Sequence, residues 1–231
     1  MDIHEIKNRL VKRATAFAVG GFKPTGSDKE SWIGRVAFYK EEENIPEDTA
    51  GLLMLPLLQL SLEGLPFVPE GLENTKMLTV FISEDLPTGL ADNGDDWVLR
   101  EYNINDQLIN KDLQNPDSYI RSFPLKTTFI REDYPVWDGG DIPADLEDEI
   151  LKLEDAGEIE DYYDMVENHY SHKLGGYPTF YQSGISFGED FEFKLQIASD
   201  EKARLNIIDN GTIFLAKNAK TGEWRLYVDF Q

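Results

Sequence analysis

The sequence predicts an α+β fold in which antiparallel sheet is dominant, and three observations lead there. Short apolar segments bounded by Gly, Asn, Asp and Pro recur along the chain; Phe191, Phe193, Leu195 and Ile197, for example, alternate with polar neighbours at the period of a half-buried strand. Two other stretches, one N-terminal and one central and acidic, carry helical periodicity instead. The order of turns and strands in the second half also recurs, more weakly, in the first. With 231 residues the chain can form one substantial core, burying roughly 70% of its unfolded surface. The expectation is a single domain of two similar β-rich halves related by internal duplication. Residues 1–30 form an N-terminal helix and lead-in, 31–134 the first half, 135–170 an acidic helical connection and 171–231 the second half.

From Met1 to Val19, residues Ile3, Ile6, Leu10, Ala14 and Phe17 fall on one stripe, which predicts an amphipathic helix. Gly20-Gly21 is its natural stop. Lys7, Arg9, Lys12 and Arg13 make it the one basic region of an acidic chain, with the apolar stripe docked on the fold and the charges in solvent. Trp32 to Tyr39 suits a strand, Glu41 to Thr49 a polar loop, and Gly51 to Leu62 a buried strand. Leu65 to Pro69 is irregular and apolar, and Leu78 to Ile82 is the next strand. The acid-rich turn Asp92–Asp96 precedes a strand at Trp97–Arg100. It lacks the alternating ligand spacing and distant Glu of a calcium loop, so it is a solvated hairpin turn. Ser122 to Arg131 is a further strand.

Asp138 to Glu167 holds thirteen acidic residues against the single Lys152, yet it keeps a helical pattern. Ile142, Leu146, Ile150 and Leu153 form one stripe, Ile159, Tyr162, Tyr163 and Val166 another, with Gly157 between. Two short acidic helices are therefore expected. Beyond them, His172–Gln182 reads HKLGGYPTFYQ. Paired glycines permit positive φ, and Tyr177 before Pro178 is biased to extended backbone. Strands follow at Phe191–Asp200 and Thr212–Leu215, separated by an Asp209-Asn210-Gly211 turn.

The same order appears earlier: Gly34, Phe38 and Tyr39 echo Gly176, Phe180 and Tyr181; Leu58-Gln59-Leu60 echoes Leu195-Gln196-Ile197; Thr79–Ile82 echoes Thr212–Leu215. At these residues the chain resembles the YwqG-like family of bacterial proteins. That family shows a Gly-Gly-x-Pro turn, a Leu-Gln-Ile strand followed by Ser-Asp, and an Asp-x-Gly turn before a Phe-rich strand. Here these are Gly175, Gly176 and Pro178, then Leu195 to Ile197 with Ser199 and Asp200, then Asp209 and Gly211. The likeness runs from Ser31 onward. Where family members carry Trp-Gly ahead of the Asp-x-Gly turn this chain has Ile207-Ile208, and its first half reads Gly34-Arg35-Val36-Ala37 in place of the Gly-Gly-x-Pro turn.

Composition narrows the function. With no cysteine there is neither a disulfide framework nor a thiolate metal site. No leader is visible, and the apolar run Leu52–Leu62 is too short to cross a bilayer; a soluble, cytoplasmic protein is expected. Twenty-two basic residues against 44 acidic give a net charge of -22. Such a field opposes nucleic acid and anionic membranes and favours a basic protein partner. No Gly-x-Ser-x-Gly elbow, phosphate loop or dinucleotide fingerprint occurs. His169 and His172, with Asp164 and Glu167 nearby, lack the further ligands of a metal site. No catalytic residue, metal or cofactor is assigned.

The expected partner-binding residues are Asp145, Asp148, Glu149, Asp161, Tyr163 and Asp164, a row of carboxylates interleaved with aromatics that also include Trp137, Tyr162 and Tyr170. Some YwqG-like proteins are found beside toxin genes, so the resemblance implies an immunity protein that neutralises a basic antibacterial toxin by covering its active site. The alternative is a small-ligand-binding protein or an enzyme with its pocket between the halves, floored by Gly175-Gly176, with Gln59 and Gln196 as polar contacts.

Overall fold

The Asp2 carboxylate accepts the Glu5 N–H at 2.8 Å while the Glu5 side chain reaches back to the Asp2 N–H, a capping box that starts a helix on the third residue. In the computed structural model, which describes residues 1–111 and 113–230, that helix is α1 (Ile3–Leu10). The strands β1 (Lys12–Val19), β2 (Trp32–Ile33), β3 (Phe38–Tyr39), β4 (Leu55–Ser61), β5 (Thr75–Ile82), β6 (Ala91–Asp92), β7 (Trp97–Asn103), β8 (Ile109–Asn110) and β9 (Phe123–Asp133) follow. The helix α2 (Ala144–Asp155) then precedes β10 (Lys173–Gly175), β11 (Phe191–Ala198), β12 (Thr212–Asn218) and β13 (Trp224–Asp229).

Eleven strands form one curled, half-barrel sheet in the order β6-β13-β12-β11-β10-β1-β9-β2-β4-β5-β7, all pairs antiparallel; β3 and β8 pair separately. Strand makes up 34% and helix 10% of the described structure. This corrects the α+β class with central acidic helices: the protein is mostly antiparallel β, with two helices among the described residues. Two local expectations fail for physical reasons. The helix expected over Met1 to Val19 stops at Leu10, because β1 gains a hydrogen-bonded neighbour on each side, and that pairing overrides the local helical stripe. The second acidic helix is only a 3-10 turn at Tyr162–Asp164. There the Asp161 and Asp164 carboxylates accept the N–H groups of Tyr163 (2.7 Å) and Glu160 (2.7 Å), offering the backbone an alternative to helix.

The register relates the two halves about the central β1–β9 pair. Trp32 faces Gln59 as Lys173 faces Gln196. A bulge lies between Pro56 and Leu58, and another between Phe193 and Leu195. The Phe17 N–H donates to the His172 carbonyl at 2.9 Å, as the Leu125 N–H donates to that of Ser31 at 2.8 Å. By this register Gly34 corresponds to Gly175 rather than Gly176, and Thr212–Leu215 to Met77–Val80 rather than Thr79–Ile82. The leading strands are exchanged: β1 pairs with β10 of the C-terminal half, and β9 with β2. One apolar cluster runs through both halves, through Leu57, Val80, Leu195 and Ile213, so they share a core. A second lies beneath the helices, where Ile6 and Leu10 meet Leu146, Ile150, Leu153 and Tyr162.

Candidate functional site

The buried stripe Leu146, Ile150 and Leu153 seats α2, which leaves Asp145 and Asp148 exposed and Glu149 partly so. Asp145 pairs with Arg9 at 2.8 Å, both in solvent. Glu149 accepts a hydrogen bond from Lys152 at 2.6 Å and one from the N-terminal ammonium, which together hold its carboxyl down at about 2. Asp161 and Asp164 cap the 3-10 turn and remain exposed. Tyr163 is 49% exposed and its hydroxyl accepts the Trp137 N–H at 3.2 Å, while Tyr170 is 40% exposed and stacks on Tyr181. Of the six residues expected to meet a partner, five are outward-facing and Glu149 is half-buried; four of the five carboxylates also do intramolecular work, Asp161 and Asp164 as caps, Glu149 with Lys152 and the N-terminal ammonium, and Asp145 with Arg9.

Gln59 and Gln196 occupy equivalent posts, both fully buried. The Gln59 amide oxygen accepts the N–H groups of Ala37 (2.8 Å) and Phe38 (3.2 Å), and its amide nitrogen donates to the Glu30 carbonyl (3.0 Å). That of Gln196 accepts the Thr179 N–H (3.1 Å) and hydroxyl (2.8 Å), with donation to the Ser171 carbonyl (3.0 Å). Each glutamine clamps the chain that leaves β2 or β10, satisfying backbone groups that burial would otherwise leave costly.

The turn at Gly175–Pro178 is built on charges inside the fold. Asp133 and Lys173 are both fully buried and their charged groups lie 3.0 Å apart; the Asp133 carboxylate also accepts the Tyr177 N–H at 2.7 Å. Burial pushes the Lys173 ammonium below its ordinary range, and Asp133 opposes that push. Gly175 and Gly176 have φ of 82° and 72°. A methyl at Gly175 would stand 2.7 Å from the Phe67 ring, and one at Gly176 would overlap the Asp133 carboxylate. Phe67 is fixed in turn by Thr15, whose hydroxyl donates to the Phe67 carbonyl at 2.7 Å and accepts its N–H at 3.1 Å. Over this floor lies a cleft of about 710 Å³, walled by Phe67, Phe180, Phe187, Phe191 and Phe193, so both halves contribute. Sequence reasoning placed Gly175-Gly176 in such a floor but missed Asp133, Lys173 and Lys12; a lysine opening the apolar KLGG segment is the one signal that pointed there.

His172 is buried, and its Nδ1 accepts the Ala198 N–H at 3.1 Å. Burial lowers its pKa, with Asp200 opposing from 3.9 Å. Among the described residues no group of three or more His, Asp and Glu stands placed to hold a metal ion, and no helix is long and apolar enough to cross a membrane. Residues 31–219 match the model of a family described as Domain of unknown function (DUF1963). A search of curated proteins finds no match to the chain.

Proposed function

The chain belongs to the DUF1963 family, and we propose that it is a non-catalytic binding protein of YwqG-like type that captures a basic protein, most concretely as an immunity protein covering the active site of an antibacterial toxin. The observation that carries this reading is the outward face of α2. Asp145 and Asp148 project from a helix whose opposite stripe is locked into the core, in a chain of net charge -22. Leu151, Tyr163 and Tyr170, each 40% exposed or more, add the apolar anchors that interfaces need beside charge. A fixed acidic ridge steers a cationic partner and holds it in register; in the toxin case it would occupy the positive surface that receives the toxin's anionic substrate. No proton transfer or bond cleavage is required.

The test compares wild-type chain with an Asp145→Lys/Asp148→Lys variant as bait against the chain's own cell extract and against basic toxin domains encoded near its gene. A basic protein held near stoichiometry by wild type, released by salt and lost by the variant, supports the reading. Association should slow by about tenfold or more in the variant. Equal retention by both baits, or no basic protein retained even in low salt, refutes it.

A further inference from the structure

The cleft over Gly175-Gly176 runs against the charge of the rest of the molecule. Arg9, Lys12, Arg13 and Lys194 line it, with Glu70, Asp141 and Glu192 as the acidic groups, in a chain where acids outnumber bases two to one. Two of those cations are already committed. Arg9 pairs with Asp145, and Lys194 donates to Glu192 (2.6 Å) and to the Glu70 carbonyl (2.8 Å). Lys12 and Arg13 make no ion pair with any described carboxylate. They are consecutive on β1 and both line this cleft, next to a shift in the register of β1 against β9 between Lys12 and Ala14. Such a bulge re-aims a side chain that a regular strand would send to the opposite face.

By register, the position that matches Lys12 beside the first half carries an apolar residue instead. A Cβ at Gly34 would touch the Arg121 carbonyl, and one at Gly175 would stand 3.1 Å from that of Arg13, so Arg13 corresponds to Arg121 and Lys12 to Ile120. Ile120 is 5% exposed and packs into the core. In the C-terminal half the same post carries an ammonium 3.9 Å from the centre of the Tyr177 ring. Lys12 is an exposed residue, yet partial desolvation presses its pKa down, Asp141 opposing. Among the described residues no carboxylate lies within ion-pair distance of that cation; Asp141, Glu192 and Asp133 act on it only from farther off. The Tyr177 ring beneath it is held by its hydroxyl, which donates to the Leu10 carbonyl at 2.7 Å.

We propose that this cleft binds a small organic anion, a carboxylate or phosphate ester with a flat apolar body, whose charge is received by Lys12 and Arg13 and whose body lies against Phe180, Phe187, Phe191 and Phe193. The cavity is of the size that holds such ligands, and it pairs apolar walls with a few convergent polar groups. The site stands independently of the acidic ridge.

The full chain is titrated by calorimetry with benzoate and phenyl phosphate, with benzamide as the uncharged isostere of benzoate and inorganic phosphate as the bodiless anion. Either aromatic anion should bind, with amide resonances of Gly175, Gly176 and Tyr177 shifting, and which one binds identifies the headgroup. Benzamide and inorganic phosphate should each bind at least about tenfold more weakly than the matching anion, as should that anion to a Lys12→Met/Arg13→Gln variant. Both replaced side chains are exposed, so the variant should fold, and an unchanged far-ultraviolet spectrum checks it. Binding by neither anion, equal binding of benzamide, or unchanged affinity in the double variant overturns the proposal. The Asp145→Lys/Asp148→Lys protein should bind the anion at least as well as wild type, which separates this test from that of the ridge.

Discussion

Replacing Lys173 with Met tests the buried frame of the cleft. Lys173 and Asp133 are both fully buried, and the only other polar contact of the Asp133 carboxylate within hydrogen-bond distance among the described residues is the Tyr177 N–H. Methionine fills the lysine stem but removes the ammonium, so a carboxylate remains in the interior with one donor. Removing one partner from such a pair costs about 3–5 kcal/mol. In a domain of this size each kcal/mol lowers the melting temperature by about 2–4 °C, which places the Lys173→Met midpoint roughly 6–20 °C below wild type. Because the cost comes from the stranded charge, Asp133→Asn should restore much of it while its amide oxygen still accepts the Tyr177 N–H. Urea unfolding of both single variants and the double gives the coupling, expected at about 1.5 kcal/mol or more for groups in direct contact. If Lys173→Met loses less than about 1 kcal/mol, or the two substitutions simply add, the pair does not hold the turn and the account of the cleft floor fails.

Two further predictions concern the same region. Gly176→Ala should destabilise by about 3 kcal/mol or more, left-handed strain plus overlap with Asp133, whereas Gly21→Ala, with open space around it, should cost only the strain of about 1–2 kcal/mol; equal losses in chemical unfolding would show that space at Gly176 is irrelevant. His172 should make stability fall in mild acid. Its folded pKa lies below the unfolded value of about 6.5, so as pH drops past that value the unfolded chain takes up the proton first and the fold loses ground until the folded pKa is reached. His172→Gln, which keeps an acceptor for the Ala198 N–H, should flatten the change in unfolding midpoint between pH 7.5 and 5.5 (values chosen to bracket that pKa, about one unit each way). The same slope in both proteins would sink the assignment.

What the sequence reveals follows from what sets each element. β4, β5, β11 and β12 were legible because their residues sit in the middle of a sheet and alternate or run apolar as such strands must. β1 was not, because Ala14 and Phe17 satisfy a helical stripe as well as a strand, and only its neighbours, far off in sequence, decide between them. β13 went unassigned although Trp224 stands to Lys217 as Trp97 stands to Ile82, a correspondence that appears only once the register is known. In the acidic connection the apolar pattern was sound, since Ile159, Tyr162 and Val166 are buried. The geometry was not, because capping by Asp161 and Asp164 turned the chain before a second helical turn could form. Carboxylates on an exposed helix face can be read from spacing alone. The Asp133–Lys173 pair cannot, because it joins the end of one strand to the start of another across the acidic connection.

The exchange of leading strands explains why the basic N-terminal region ends up at the centre of the molecule. As a helix over Met1–Val19, Lys7, Arg9, Lys12 and Arg13 would have faced solvent. As a strand between β9 and β10, β1 carries Lys12 and Arg13 to the middle of an eleven-stranded sheet, beside the turn that Asp133 holds. The helix just before it has a different task, since Ile6 and Leu10 of α1 supply part of the apolar bed on which α2 rests, and Arg9 reaches Asp145 across that joint. One short segment therefore seats the acidic ridge and charges the cleft. A ligand that draws on Lys12 acts two residues from Leu10, whose carbonyl also receives the Tyr177 hydroxyl. Arg9 is held by Asp145 of the ridge while Lys12 lies over the Tyr177 ring, so the end of α1 at Leu10 divides the two tasks.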